Sequence, residues 1–183
     1  MSATFNTAPK TKNSTNNRTM EKHTIQISST EILQRIYTHT YYTGEARKYA
    51  GVPANLAASL QASDSNKDIL LQHIQSSIAE AARILTRYLG ICTTQHNHQD
   101  LLTTIIIETP SNYPAECIPQ IAQAIEEYST MRALGQWLAQ NKPDEAVAAT
   151  REAELSSMYL RELTSLRRRP LNNARTADSN IEL

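Results

Sequence analysis

The sequence predicts a mainly α-helical protein: an antiparallel bundle of about four helices, one or two short β-strands in an insertion, and a disordered or extended arm at each end. Three observations lead there. Among 183 residues only 4 are Gly, 40% are hydrophobic, and the strong helix formers Ala, Leu, Gln and Glu are plentiful. Two long segments, 68–89 and 119–140, repeat apolar residues at steps of three and four, the period of one helix face. The β-rich runs are short and fall at 24–27 and 101–107. The scarcity of Gly also argues against a dinucleotide-binding fold, whose phosphate loop needs glycine turns.

The elements follow in order. Residues 1–23 hold Lys10, Lys12, Arg18 and Lys22 against Glu21, and Phe5 and Met20 are their only large apolar residues after Met1. Such a segment buries too little to offset its ordering entropy, so it reads as a flexible basic arm. Thr24-Ile25-Gln26-Ile27 alternates and reads as a short strand. Ser28 and Glu31 form a capping-box pattern at a helix start. That helix carries Ile32, Leu33, Ile36, Tyr37 and Tyr41 on one face, and Gly44 and Gly51-Val52-Pro53 are expected to interrupt it. Residues 54–62 read as another short helix, and Asp64 to Asn66 as a turn capping the next one. In 68–89 the stripe is Leu71, Ile74, Ile78, Ala81, Leu85 and Tyr88, ended by Gly90.

Residues 101–107 read as a strand in need of a partner, supplied by neighbouring copies or by 24–27 of the same chain. Pro110, Pro114 and Pro119 make 110–119 an extended loop, with Pro119 in the first turn of the next helix. That helix, 119–140, carries Ile121, Ala124, Tyr128, Met131, Gly135 and Leu138, with Trp137 beside the stripe. The short break at 140–143 implies an antiparallel neighbour. The last helix, 143–168, is expected to bury Leu155, Tyr159, Leu163 and Leu166. Asp144 and Glu145 start it and Arg167 to Arg169 end it, both favourable to the helix dipole. The organisation is therefore a basic arm over 1–23, a helical domain over 24–168 with a strand-bearing insertion at 91–118, and an extended arm over 169–183. Lys+Arg and Asp+Glu are 18 each, yet two basic arms flank an acidic body. No apolar run approaches the roughly 20 residues of a membrane span, and no apolar leader suggests secretion.

Candidate chemistry is sparse. Cys92, His96, His98 and Asp100 cluster in one polar segment with zinc-compatible ligand types, but their spacing matches no standard motif. Glu126 and Glu127 are adjacent on a helix and point about 100° apart, so they do not converge as an acid–base pair. Glu152 and Glu154 read as a solvated face. Tyr37, Tyr41, Tyr42 and Tyr49 lie near Arg47 and Lys48, a mixture that can stack bases, although core or subunit contact is the favoured reading. Arg167, Arg168 and Arg169 exceed what helix capping needs and suit an acidic partner or nucleic acid. Phosphate-loop, nucleophile-elbow and His-Glu-x-x-His motifs are all missing from the sequence, so no enzyme and no cofactor is expected.

Asp68 through Gly90, then Tyr113-Pro114 through Tyr128 and Met131 to Leu138, then Asp144 to Leu166, form an ordered series. An acidic-start, aromatic-end helix precedes a variable insertion, a Pro-led helix with an internal Arg, and a closing helix. Over roughly 64–168 this resembles the head–tail connector (adaptor or neck) proteins of tailed bacteriophages. The resemblance implies a non-enzymatic virion protein of the neck, assembled in the host cytoplasm. It implies a homo-oligomeric ring, commonly dodecameric, between the portal protein and the tail or stopper proteins, with double-stranded DNA passing through the centre without sequence-specific binding and with no membrane role. On that reading 167–183 docks on the portal. Arg167, Arg168 and Arg169 make the charge contacts, and Ile181 and Leu183 are the apolar anchors. Ile105, Ile106, Ile107, Tyr41 and Tyr42 are the expected subunit contacts. Two other readings are a small helical nucleic-acid-binding or regulatory protein using the basic arms, and a metal-dependent enzyme around Cys92, His96 and His98.

Overall fold

Strand β1 (Met20–Ser28) passes straight into helix α1 (Ser29–Tyr49), and Ser28 serves both. Its backbone is extended, and its hydroxyl accepts from the Glu31 amide at 3.3 Å, as an N-cap does. This is a computed structural model, and it describes residues 20–89, 92–97, 99, 101–110 and 113–165. After α1 come the short α2 (Ala54–Ala58), a 3₁₀ turn at Asp64–Asn66, and α3 (Lys67–Leu89). Then follow β2 (Cys92–Asn97), β3 (Leu102–Pro110), α4 (Cys117–Asn141) and α5 (Pro143–Ser165). The described residues are thus mainly helical, with five α-helices and a three-stranded antiparallel sheet of order β1-β3-β2.

The sheet closes within the chain. β3 is central, with Ile25 opposite Ile105 and Thr24 opposite Ile106 on one side, and Thr94 opposite Ile105 on the other. Period-2 alternation turns Thr103, Ile105, Ile107 and Thr109 of β3 inward. They meet Ile25 and Ile27 of β1 and the apolar faces of α3 and α4 in one core. The pairing of 101–107 with 24–27 is therefore the one realised, in place of completion by neighbouring copies. The polar segment around His96 is strand β2, because the hairpin turn at Leu101 brings it beside β3. Leu101 has φ of 51°, and its carbonyl accepts the Ser29 amide at 2.9 Å, tying that turn to the β1–α1 junction.

Gly44 does not interrupt α1. The helix runs through it, because Gln61 and Ala57 pack so closely there that a Cβ would lie 2.8 Å from Gln61 Cγ. The helix ends at Tyr49, with Ala50 as its C-cap just before Gly51 at φ +83°. In α3 the buried stripe is Leu70, Ile74, Ile78, Ala81, Leu85 and Leu89, one step off the expected phase at its start, with Leu71 only partly buried.

Helix α4 is the centre. It contacts α1, α3, α5 and β1, and buries residues around most of its circumference, including Ile121, Ile125, Tyr128, Leu134 and Trp137. Lys142 alone separates it from α5, so the two run antiparallel. The expectation for α5 holds at Leu163 and fails at Leu155 and Tyr159. Leu155 is 58% exposed and Tyr159 45%, while Ala146, Ala149, Ala153, Ser157, Leu160 and Leu163 are buried. Leu166 lies outside the described residues. Small residues win the inward face because α4 and α5 approach closely: a Cβ on Gly135 would stand 3.1 Å from Thr150 Oγ1 and 3.4 Å from its backbone nitrogen. Gly135→Leu is expected to destabilise the fold by about 1–3 kcal/mol through overpacking. Thermal melts check this, and an unchanged melting temperature would contradict the close approach.

Candidate functional site

The described surface offers two features of functional type, the outer face of α1 and the outer face of α5, with clefts beside α5. On α1, Tyr41, Tyr42 and Tyr49 are exposed, Tyr42 to 67%. Tyr41 and Tyr42 meet edge to face, with ring centroids 5.6 Å apart. They are exposed because α1 turns Ile32, Leu33, Ile36 and Thr40 inward, leaving 41, 42 and 49 beyond the buried arc. Tyr37 sits between, partly buried, and its hydroxyl donates to the Ser63 carbonyl at 3.3 Å. The cations beside the tyrosines are occupied: Arg47 pairs with Glu145 of α5 at 2.6 Å, and Lys48 pairs with Glu45.

Between α1 and α5 lies a cleft of about 220 Å³ floored by Met131, Leu134 and Leu138 of α4, with His39, Glu145 and Glu152 among its lining residues. That volume is below the roughly 300–1,000 Å³ of small-molecule sites, whereas an adjoining open cleft lined by Arg35, His39, Glu127 and Leu155 reaches about 520 Å³. A further cleft, between α3 and α5, holds Glu80, Tyr128, Arg132 and Arg161. Arg132 Nε donates to Glu80 Oε2 at 3.2 Å. Burial, helped by a hydrogen bond to Glu80, pushes the Tyr128 phenol up to about 12. It is a hydrogen-bond donor across the ordinary pH range, not a base. At the other end of α5 the buried Tyr113 hydroxyl donates to the Leu163 carbonyl at 3.1 Å, and burial beside Cys117 raises it to about 12.

The remaining candidate residues separate. Arg167, Arg168, Arg169, Ile181 and Leu183 lie outside the described residues. Ile105 and Ile107 are fully buried in the chain's own core and Ile106 is half-buried, so β3 presents no free edge for subunit pairing. Cys92 opens β2. The His96 side chain is exposed, with Nδ1 3.0 Å from Thr103 Oγ1. His98 and Asp100 lie outside the described residues. Cys117 is buried at the start of α4. Among the described residues no group of three His, Cys, Asp or Glu could hold a metal ion. Glu126 accepts from Arg35 at 2.7 Å and Glu127 from Gln123 at 2.9 Å, so they diverge as their spacing requires. Glu152 and Glu154 flank α5 on opposite sides, Glu152 in the cleft beside α1 and Glu154 in that beside α3. The feature that sequence reasoning missed is the α5 outer face. Leu155 and Tyr159, expected in the core, are part of it, and Met158 completes it.

One histidine has a pKa shifted by its surroundings in the fold. His73 Nε2 on α3 and Gln136 Oε1 on α4 are both buried and without hydrogen-bond partners. Burial lowers the His73 pKa, opposed in part by Gln136. The unfolded chain, with an imidazole pKa of about 6.5, then binds a proton that the folded chain resists. Stability is full above that pH and falls as pH drops below it. His73→Asn is expected to flatten this acid-side loss in urea midpoints measured from about pH 7.5 to pH 5.5. Equal slopes for the two proteins would remove His73 as the cause.

No family model, curated protein or solved structure matches this chain.

Proposed function

We propose that the protein is a structural assembly component, a head–tail connector of the tailed-phage type. It forms a ring between portal and tail, with DNA passing through the centre, and works in the virion neck after assembly in the host cytoplasm. Helices α1, α3, α4 and α5 serve as its four-helix body. The observation that carries this reading is the exposed tyrosine face of α1. Tyr is an amphipathic, rigid side chain enriched at protein interfaces. Three of them stand exposed here, while Arg47 and Lys48 beside them are neutralised by Glu145 and Glu45. A nucleic-acid platform needs free cations beside its aromatic rings, so this face suits a protein neighbour. Tyr41 and Tyr42 are the subunit contact in this reading. Residues 167–183 are the portal contact, through Arg167, Arg168, Arg169, Ile181 and Leu183.

Light scattering on the full chain with and without portal protein tests the reading. Portal is expected to raise the mass to that of a multi-copy ring, and a chain indifferent to portal overturns it. Deleting 167–183 is expected to abolish portal binding with the helical circular-dichroism signal unchanged. Retained binding would remove the arm from the contact. A steep fall of DNA affinity with salt, measured on the isolated chain, would favour the nucleic-acid reading instead.

A further inference from the structure

The outermost ridge of α5 is formed by Arg151, Leu155, Met158 and Glu162, at steps of four, three and four. That is the a/d spacing of a coiled-coil seam. All four side chains are exposed, Leu155 to 58% and Met158 to 63%, on the side of the helix opposite Ala153 and Leu160. Glu154 and Arg161 lie together on one flank of the ridge, also exposed. Among the described residues, Arg151, Glu154, Arg161 and Glu162 form no ion pair within the chain.

We propose that this ridge pairs two copies of the chain, α5 against α5, antiparallel about a two-fold axis midway between Leu155 and Met158. The charge order carries the argument. Laid against its own reverse, the helix sets Leu155 opposite the partner's Met158 and Arg151 opposite the partner's Glu162, and the two-fold repeats each contact. In antiparallel seams the residues on one flank face the same flank of the partner, which brings Glu154 to the partner's Arg161 and Arg161 to the partner's Glu154. Two apolar layers are then closed at both ends by opposite charges, with opposite charges again along one flank. Parallel pairing would set Arg151 against Arg151 and Glu162 against Glu162, like charges that repel. One helix thus satisfies both sides of an isologous interface.

The inference stands apart from the connector reading, which uses the α1 tyrosines and the C-terminal arm. A two-fold pair is closed and its members point in opposite directions, so it is a form of the free chain and not the repeat of a ring about an axis.

The test is the mass of the full chain by sedimentation equilibrium at about 100 μM, a concentration that populates even a weak pair. Twice the 20.5 kDa chain mass is expected. Leu155→Glu with Met158→Glu is expected to give a folded monomer. Arg151→Glu with Arg161→Glu makes one all-acidic ridge, and Glu154→Arg with Glu162→Arg makes an all-basic one. Each is expected to weaken self-pairing about 100-fold or more, and an equimolar mixture to restore the dimer mass. A monomeric wild-type chain overturns the proposal, as it would if the chain's own 166–183 covered the ridge. So does a dimer that survives the ridge substitutions, or a mixture of the two charge variants that stays monomeric. The mixing arm needs neither Leu155 nor Met158 changed, so it holds even where their replacement unfolds the helix.

Discussion

The close approach of α4 and α5 is the contact on which the rest of the molecule depends. Gly135 on α4 makes room for Thr150, whose hydroxyl would stand only 3.1 Å from a Cβ placed there. α5 meets it with Ala146, Ala149, Ala153 and Ser157. Small side chains bury little area each, at about 25 cal/mol per Å². They compensate by bringing two long helices into dense contact along their length. The choice has a geometric consequence. With Ala146, Ala149, Ala153 and Ser157 inward, only Leu160 and Leu163 of the large apolar residues of α5 are buried, and Val147, Leu155, Met158 and Tyr159 are exposed. Exposed apolar stripes of this kind belong to surfaces that meet other proteins.

Helix α4 can be central because every other layer presents it with something apolar or something to pair. The sheet contributes Ile25, Ile27, Ile105 and Ile107, and α3 a full stripe from Leu70 to Leu89. At the periphery, ion pairs link neighbours: Arg35 to Glu126 between α1 and α4, Arg47 to Glu145 between α1 and α5, and Arg132 to Glu80 between α4 and α3. All three are partly exposed, so each contributes about 0–1 kcal/mol and serves orientation more than stability. The buried Thr40 and Thr164 hydroxyls donate inside their own helices, to the Ile36 and Leu160 carbonyls. Ser129 Oγ, His73 Nε2 and Gln136 Oε1 are the buried polar atoms left without a hydrogen-bond partner among the described residues.

The surface divides by the company its residues keep. Around the α1 tyrosines the positive charges are already used within the chain. On the α5 ridge Arg151 and Glu162 are not, and they sit four residues from the apolar pair at either end. A face with neutralised charges accepts neighbours of many shapes. A face with unpaired charges in a fixed order is selective for its complement, and on α5 the complement is the same helix reversed. The connector reading and the α5 pair therefore draw on different surfaces of one small helical body.

The long-range periodicities of 68–89 and 119–140 were enough to determine helices there, since a 3.6-residue period over six turns has no β-strand counterpart. Ser28 with Glu31 determined where α1 begins, Gly51 where it stops, and Lys142-Pro143 the antiparallel turn between α4 and α5. Ile25, Ile27 and the 101–107 run determined strands, and even their pairing was among the available choices. What only the tertiary structure decided is orientation. Leu155 and Tyr159 form a better apolar stripe than Ala146, Ala149 and Ala153 by side-chain size, so pattern alone turns the wrong face of α5 inward. The space beside Gly135 reverses that choice, and it exists only once two helices meet. The same holds for Gly44, which in sequence breaks a helix and in the fold makes room for Gln61. It holds for His96, whose polar segment becomes a strand only because β3 lies beside it. Propensity and period are local properties of a chain; which face is buried is settled by the neighbour.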